Sequence, residues 1–134
     1  MSYAGGCHCG AIRYSLENEP GHVDLCHCVD CRRNAGAPVM CWAGFQESDL
    51  KLEQGKPKTF NSSGSAMRDF CADCGTGLFY RNEQLLPGIV EVQSATLDDP
   101  EALPPHQHIQ AAERLHWMER AHELPSVERF SEMA

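Results

Sequence analysis

The sequence predicts a mainly β fold with few short helices, organised around zinc-binding cysteine knuckles. Three observations point there. Apolar and polar residues alternate over short runs such as Ile12, Tyr14 and Leu16 against Arg13 and Ser15. Clusters of Gly, Pro, Asn and Ser divide those runs at short intervals. Seven of the eight cysteines fall into three tight groups: Cys7 with Cys9, Cys26 with Cys28 and Cys31, and Cys71 with Cys74. A chain of 134 residues suits one domain, 1–134, and shows no repeat or linker that would divide it.

Taken in order, Cys7-His8-Cys9-Gly10 is a knuckle whose glycine permits the tight turn that aims both sulfurs at one point. Ala11 to Leu16 follows as a half-buried strand, and Asn18, Pro20 and Gly21 mark a turn. His22 to Leu25 leads as a short strand into Cys26-His27-Cys28-Val29-Asp30-Cys31. Val29 to Asn34 reads as one helical turn or a loop, ended by Gly36 and Pro38. Val39 to Phe45 alternates as a strand, with Val39, Cys41, Ala43 and Phe45 on one face and Met40 and Trp42 on the other. Glu47 to Gly55 is polar, anchored by Leu50 and Leu52, and Lys58 to Asn61 makes a short strand. Ala66 to Phe70 runs into the second knuckle, Cys71 to Gly75. Leu78 to Tyr80 and Ile89 to Gln93 are strands parted by the turn at Pro87-Gly88. Ala111 to Ala121 fits two descriptions, a helix with Leu115 and Met118 in a stripe, or an irregular segment laid across a sheet.

The thiols sort into two sites. A structural zinc takes four sulfurs, usually two pairs from separate turns, and Cys7, Cys9, Cys71 and Cys74 supply them. Cys26, Cys28 and Cys31 can all reach a second ion and leave one position exchangeable, the pattern of a reactive zinc. A visiting thiol could fill that position as its thiolate. Cys41 is an alternative fourth ligand, although its place on a strand beside Trp42 suits a core cysteine. His8 and His27 stand between ligands and should point away from the ion their neighbours share. Arg32 and Arg33 follow the last sulfur and are either a solvated pair or a carboxylate-binding pair for a ligand at the metal. Arg68 reads as structural, and Asp30, Asp73, Asp98 and Asp99 read as turn residues.

The formal net charge of −8 disfavours nucleic acid as a partner. No run reaches the roughly 18 apolar residues that span a bilayer. The opening residues Met1 to Gly6 lack the basic and apolar parts of a secretion signal, so the expectation is a cytoplasmic protein with reduced, metal-holding thiols.

Gly6-Cys7-His8-Cys9-Gly10, Cys26-His27-Cys28-Val29-Asp30-Cys31-Arg32-Arg33 and Phe70-Cys71-Ala72-Asp73-Cys74-Gly75 occur in the order of a known family. Gly36-Ala37-Pro38, Leu97-Asp98-Asp99-Pro100, His108-Ile109, Trp117 and Leu124-Pro125 agree with it as well. The chain thereby resembles the glutathione-dependent formaldehyde-activating enzymes, which include the domain of centromere protein V. The resemblance implies a β-tent of antiparallel sheets and the same two zinc sites, the second lying near a glutathione site. It also implies the condensation of glutathione with formaldehyde, a carbon–sulfur lyase reaction in the reverse sense. Three functions stay open on these residues: a lyase-type enzyme acting on a small thiol and a small electrophile, a glutathione carrier without catalysis, and a structural double-zinc domain for protein contacts.

Overall fold

A computed structural model describes residues 2–130. The fold is mainly β, as expected, with ten strands in two sheets among the described residues. The smaller sheet pairs β1 (Ser2–Gly6), β2 (Arg13–Glu17) and β5 (Leu50–Gln54) in that order, all antiparallel. The larger sheet contains β3 (His22–Cys26), β4 (Met40–Gln46), β6 (Lys58–Ser63), β7 (Ala66–Phe70), β8 (Gly77–Arg81), β9 (Ile89–Gln93) and β10 (Gln107–Ile109). Its order is β10-β3-β4-β9-β8-β7-β6, antiparallel except where β10 runs parallel to β3 at one edge.

The alternation predicted for β4 divides the molecule. Ala43 and Phe45 face a core shared with Ile12 just before β2, with Tyr14 and Leu16 of the small sheet and with Phe79, Val90 and Val92 of the large one. Burying each of the larger apolar side chains among these contributes roughly 1.5–3 kcal/mol. The ring of Tyr14 meets Phe79 edge to face at 5.2 Å, and its hydroxyl hydrogen-bonds Thr96 at 2.7 Å, which keeps its one polar atom satisfied inside. Met40 and Trp42 face the opposite way and pack with Cys26 and Cys31. One side of the large sheet therefore builds the core, and the other carries the three-cysteine cluster.

The helix α1 (Val29–Ala35) is short because its ends are fixed locally. Cys28 caps its start, with its sulfur accepting from the Cys31 amide at 3.2 Å. Gly36 ends it in the left-handed region at φ 65°, with its amide bonded to the Arg32 carbonyl.

Four strands escape the sequence reading, among them β7, whose residues show in the sequence only as the approach to the second knuckle. In β1, glycine is required by close approach, since a Cβ on Gly5 would lie 2.4 Å from the Tyr14 hydroxyl and 2.5 Å from the Thr96 carbonyl. β5 is largely exposed and polar, so its register comes from pairing with β2 and not from an apolar face. β10 is three residues held by its parallel partner. The tail takes the irregular form. Ala111–Glu113 and His116–Glu123 are 3-10 segments, and the second breaks at Arg120, where φ is −121°. No described helix is long and apolar enough to cross a membrane.

Candidate metal centres

Two knuckles of similar design hold the first cluster. Cys7 and Cys9 lie in the turn between β1 and β2, Cys71 and Cys74 in the turn between β7 and β8. In each, the first cysteine's amide reaches across the turn, Cys7 to the Ile12 carbonyl at 3.1 Å and Cys71 to the Thr76 carbonyl at 2.9 Å. Each then bends through a left-handed glycine, Gly10 at φ 82° and Gly75 at φ 84°. The four free thiols converge to within 4.8 Å of one another. Cys9 lies 3.7 Å from Cys7 and 3.8 Å from Cys71.

Those separations discriminate between chemistries. A disulfide needs about 2.0 Å between sulfurs. Tetrahedral bonds of about 2.3 Å to one zinc ion set sulfur–sulfur edges of about 3.8 Å. The sulfurs thus already stand at the spacing of a closed four-thiolate site. Donors surround them: the Ile12 amide points at the Cys7 sulfur from 3.2 Å, and the Thr76 hydroxyl lies 3.2 Å from Cys74. That hydroxyl, helped by the Thr76 amide, holds the Cys74 thiol down to about 5, so this sulfur is a ready thiolate. An ion here would clamp the small sheet to the large one.

The second cluster takes Cys26 from the end of β3, Cys28 from the helix cap and Cys31 from α1. Cys26 and Cys31 are 3.7 Å apart, again the edge of a thiolate tetrahedron. Among the described residues, no fourth Cys, His, Asp or Glu offers a ligand atom to this group. Cys41 is ruled out by register. Cys26 pairs with Met40 and Leu25 pairs with Cys41, so the Cys41 side chain leaves the opposite face of the sheet and packs against the core.

Arg68 supports this cluster from β7. Its guanidinium lies 3.5 Å from the Cys31 sulfur, donates to Asp30 at 2.8 Å and to the Ser62 hydroxyl at 2.8 Å, and sits 4.8 Å over the Tyr80 ring. Ser62 in turn donates to the same Asp30 oxygen at 2.7 Å. The hydrogen bond shared with Cys26 and the positive charge of Arg68 bring the Cys31 thiol down to about 5 against the opposing effect of burial. Burial likewise works against Asp30, but Ser62 and Arg68 hold its carboxyl below the usual range.

The three sulfurs open onto a cavity of about 580 Å³ walled by Trp42, Tyr80 and Arg68, with Asp24 and Glu91 among its lining. Arg32 and Arg33 do not line it; Arg32 is half-buried on α1, and Arg33 is exposed. His8 and His27 contribute to neither sulfur cluster. His27 is fully buried, with its Nε2 2.8 Å from His108 Nδ1, and burial followed by the charges of His108 and Arg114 lowers its proton affinity.

Arg68, Asp24 and Glu91 line the cavity, whereas the sequence marks Arg68 as structural and gives Asp24 and Glu91 no role. A signal existed for two of them. Asp24 stands between Val23 and Leu25, and Glu91 between Val90 and Val92, each a charge inside an apolar strand.

Residues 2–113 match the model of the family described as glutathione-dependent formaldehyde-activating enzyme. A Schizosaccharomyces pombe protein named as an uncharacterized lyase is 33% identical over 78 residues, 58% of this chain and 56% of that protein, so the match spans little more than half of the relative. A Halomonas elongata protein, named provisionally as a glutathione-dependent formaldehyde-activating enzyme, is 25% identical over 130 residues, covering 89% of this chain and 81% of its own. A crystal structure of a Rhodobacter sphaeroides protein superposes with a TM-score of 0.64 at 26% identity, covering 78% of this chain and 98% of that one. The chain belongs to the glutathione-dependent formaldehyde-activating enzyme family.

Proposed function

We propose that the chain is a single zinc-binding domain that acts as a carbon–sulfur lyase-type enzyme, adding glutathione or a similar thiol to formaldehyde or a related small electrophile. The observation that carries this reading is the three-sulfur cluster facing a cavity, with no fourth protein ligand among the described residues. The family membership and the lyase name of the fission yeast relative support it.

A zinc ion at this site would supply a Lewis acid that lowers the proton affinity of a visiting thiol. The chain's own residues do the rest. Cys26, Cys28 and Cys31 fix three corners of the coordination shell. Arg68 offsets part of the negative charge that three thiolates bring, and it is itself held in place by Asp30 and Ser62. Trp42 and Tyr80 give the cavity apolar walls that restrict water around the reacting sulfur. In the reaction, the thiol sulfur bonds to the carbonyl carbon and the π pair moves onto the oxygen. The proton lost by the thiol ends on that oxygen, and the product is a hydroxymethyl thioether.

Cys7, Cys9, Cys71 and Cys74 would hold the other zinc, whose role is to tie the two sheets together. The test is the rate of adduct formation from glutathione and formaldehyde with the spontaneous reaction subtracted. The reading expects catalysis that disappears when Cys31 is replaced by serine. A rate equal to the uncatalysed one, measured on fully metallated protein, contradicts it.

A further inference from the structure

We propose that the cavity beside the three-cysteine cluster has a cation-binding end, built on Glu91 with Asp24, that receives the protonated amine of the thiol ligand. The inference rests on the thiol-binding reading above and names the recognition chemistry at the same site.

Glu91 is a buried carboxylate on the central strand β9, and its side chain is only 8% exposed. One oxygen lies 2.5 Å from His22 Nε2, while the other has no hydrogen-bond partner among the described residues although it is buried. A buried carboxylate oxygen without a donor costs stability, so its presence on a cavity wall asks for a ligand donor. Burial, opposed by His22 and reinforced by Asp24, raises the proton affinity of the Glu91 carboxyl, the direction expected of an anion awaiting a counter-charge.

The pair with His22 is built into the sheet. His22, Gly44 and Glu91 are cross-strand neighbours on β3, β4 and β9. A Cβ at position 44 would come within 2.2 Å of the His22 ring, so the glycine leaves the space through which the imidazole crosses β4 to Glu91. His22 thereby fixes one oxygen of Glu91 and leaves the other, on a residue that lines the cavity, without a donor.

The surroundings suit a cation. Asp24 is also buried, with one oxygen accepting from the Gln107 side chain at 2.9 Å. Asp24 is the cross-strand partner of Trp42, and Glu91 that of Tyr80, and the two rings are 5.9 Å apart. Carboxylates interleaved with aromatic faces are the surroundings in which an ammonium gains both ion pairing and cation–π attraction. Arg68 is the one Lys, Arg or His among the described residues lining the cavity; Asp30, Ser62 and the Cys31 sulfur engage its Nε and one Nη, while the other Nη has no hydrogen-bond partner among the described residues. The sulfurs add further negative charge when they are thiolates. A ligand that delivers a thiol to the cluster and an ammonium to Glu91 is matched at both ends; the γ-glutamyl amine of glutathione belongs to this class.

The probes are glutathione and glutaryl-cysteinylglycine, which is glutathione with hydrogen in place of its amino group. Calorimetric titration of the metallated protein is expected to show the des-amino ligand binding roughly 10-fold or more weakly. In the Glu91→Gln protein, glutathione should weaken to the level of the des-amino ligand, whose own affinity stays within a few-fold of its wild-type value. Equal affinity of the two ligands for the wild type overturns this inference and leaves the thiol-binding reading intact. A tenfold preference that survives Glu91→Gln also overturns it. Failure of glutathione to bind the wild type at all removes both readings together. The wild-type comparison does not depend on how the variant folds.

Discussion

The guanidinium of Arg68 lies 3.5 Å from the Cys31 sulfur, a contact between β7 and α1 across 37 residues of chain. The same group donates to Asp30 at 2.8 Å, so one buried cation supports both a metal-ligating thiol and the carboxylate beside it. Replacing Arg68 by methionine keeps much of the side chain's volume and removes its charge. Metal affinity at the three-cysteine site should fall by roughly 10- to 100-fold. Folding stability should fall by roughly 1–3 kcal/mol, because Asp30, 32% exposed, loses a charged donor but keeps Ser62 and solvent. Competition with a chromophoric chelator and denaturant titration read the two effects.

The two cysteine clusters should respond differently to serine. Cys71→Ser removes a ligand from the site joining the sheets, where one structural ion contributes on the order of 10 kcal/mol. That variant should not fold to a stable monomeric species. Cys26→Ser should keep the fold and lose one ion per chain. Elemental analysis of purified protein, with far-ultraviolet circular dichroism, separates the cases.

Cys41→Ala should leave two ions per chain, because this thiol leaves the far face of β4 and packs on the core. The cost should be about 1 kcal/mol of stability. Loss of an ion in this variant would show that the second site closes on Cys41.

Glu91 carries a pH signature. Its folded carboxyl has a raised proton affinity, chiefly from burial, relative to an ordinary value of 4.5. The folded state then binds more protons than the unfolded state between the two values, so this group's contribution to stability falls as pH rises through that window. Glu91→Gln removes the effect. The variant should be more stable than the wild type at neutral pH, and the advantage should narrow as pH falls through the raised value and vanish below about 4.5. Denaturant midpoints at a series of pH values, at fixed free metal, check the sign.

Much of this was legible in the sequence because the decisive information is local. Paired thiols two or three residues apart, each followed by a glycine, define a knuckle before any strand is placed. The alternation of Met40 to Phe45 separates the core face from the site face without reference to a partner. The illegible parts depend on pairing. β1 is written with glycines that other strands require, and β5 has almost no buried face. Arg68 reaches Cys31 through sheet packing, whereas Arg32 and Arg33 are near the sulfurs in sequence and off the cavity in space. Sequence neighbours on a helix diverge around its axis, and cross-strand neighbours such as Arg68 and Tyr80 converge on one face.

The incomplete shell at Cys26, Cys28 and Cys31 is the claim on which the rest depends. Electronic absorption of the cobalt-substituted protein, titrated with glutathione under argon, tests it most directly. Two cobalt ions per chain should show thiolate charge-transfer bands, and the spectrum of one of them should shift and saturate as the added thiol enters. Two ions whose spectra stay unchanged at saturating glutathione would mean that both shells are already complete, and that the cavity serves some other purpose.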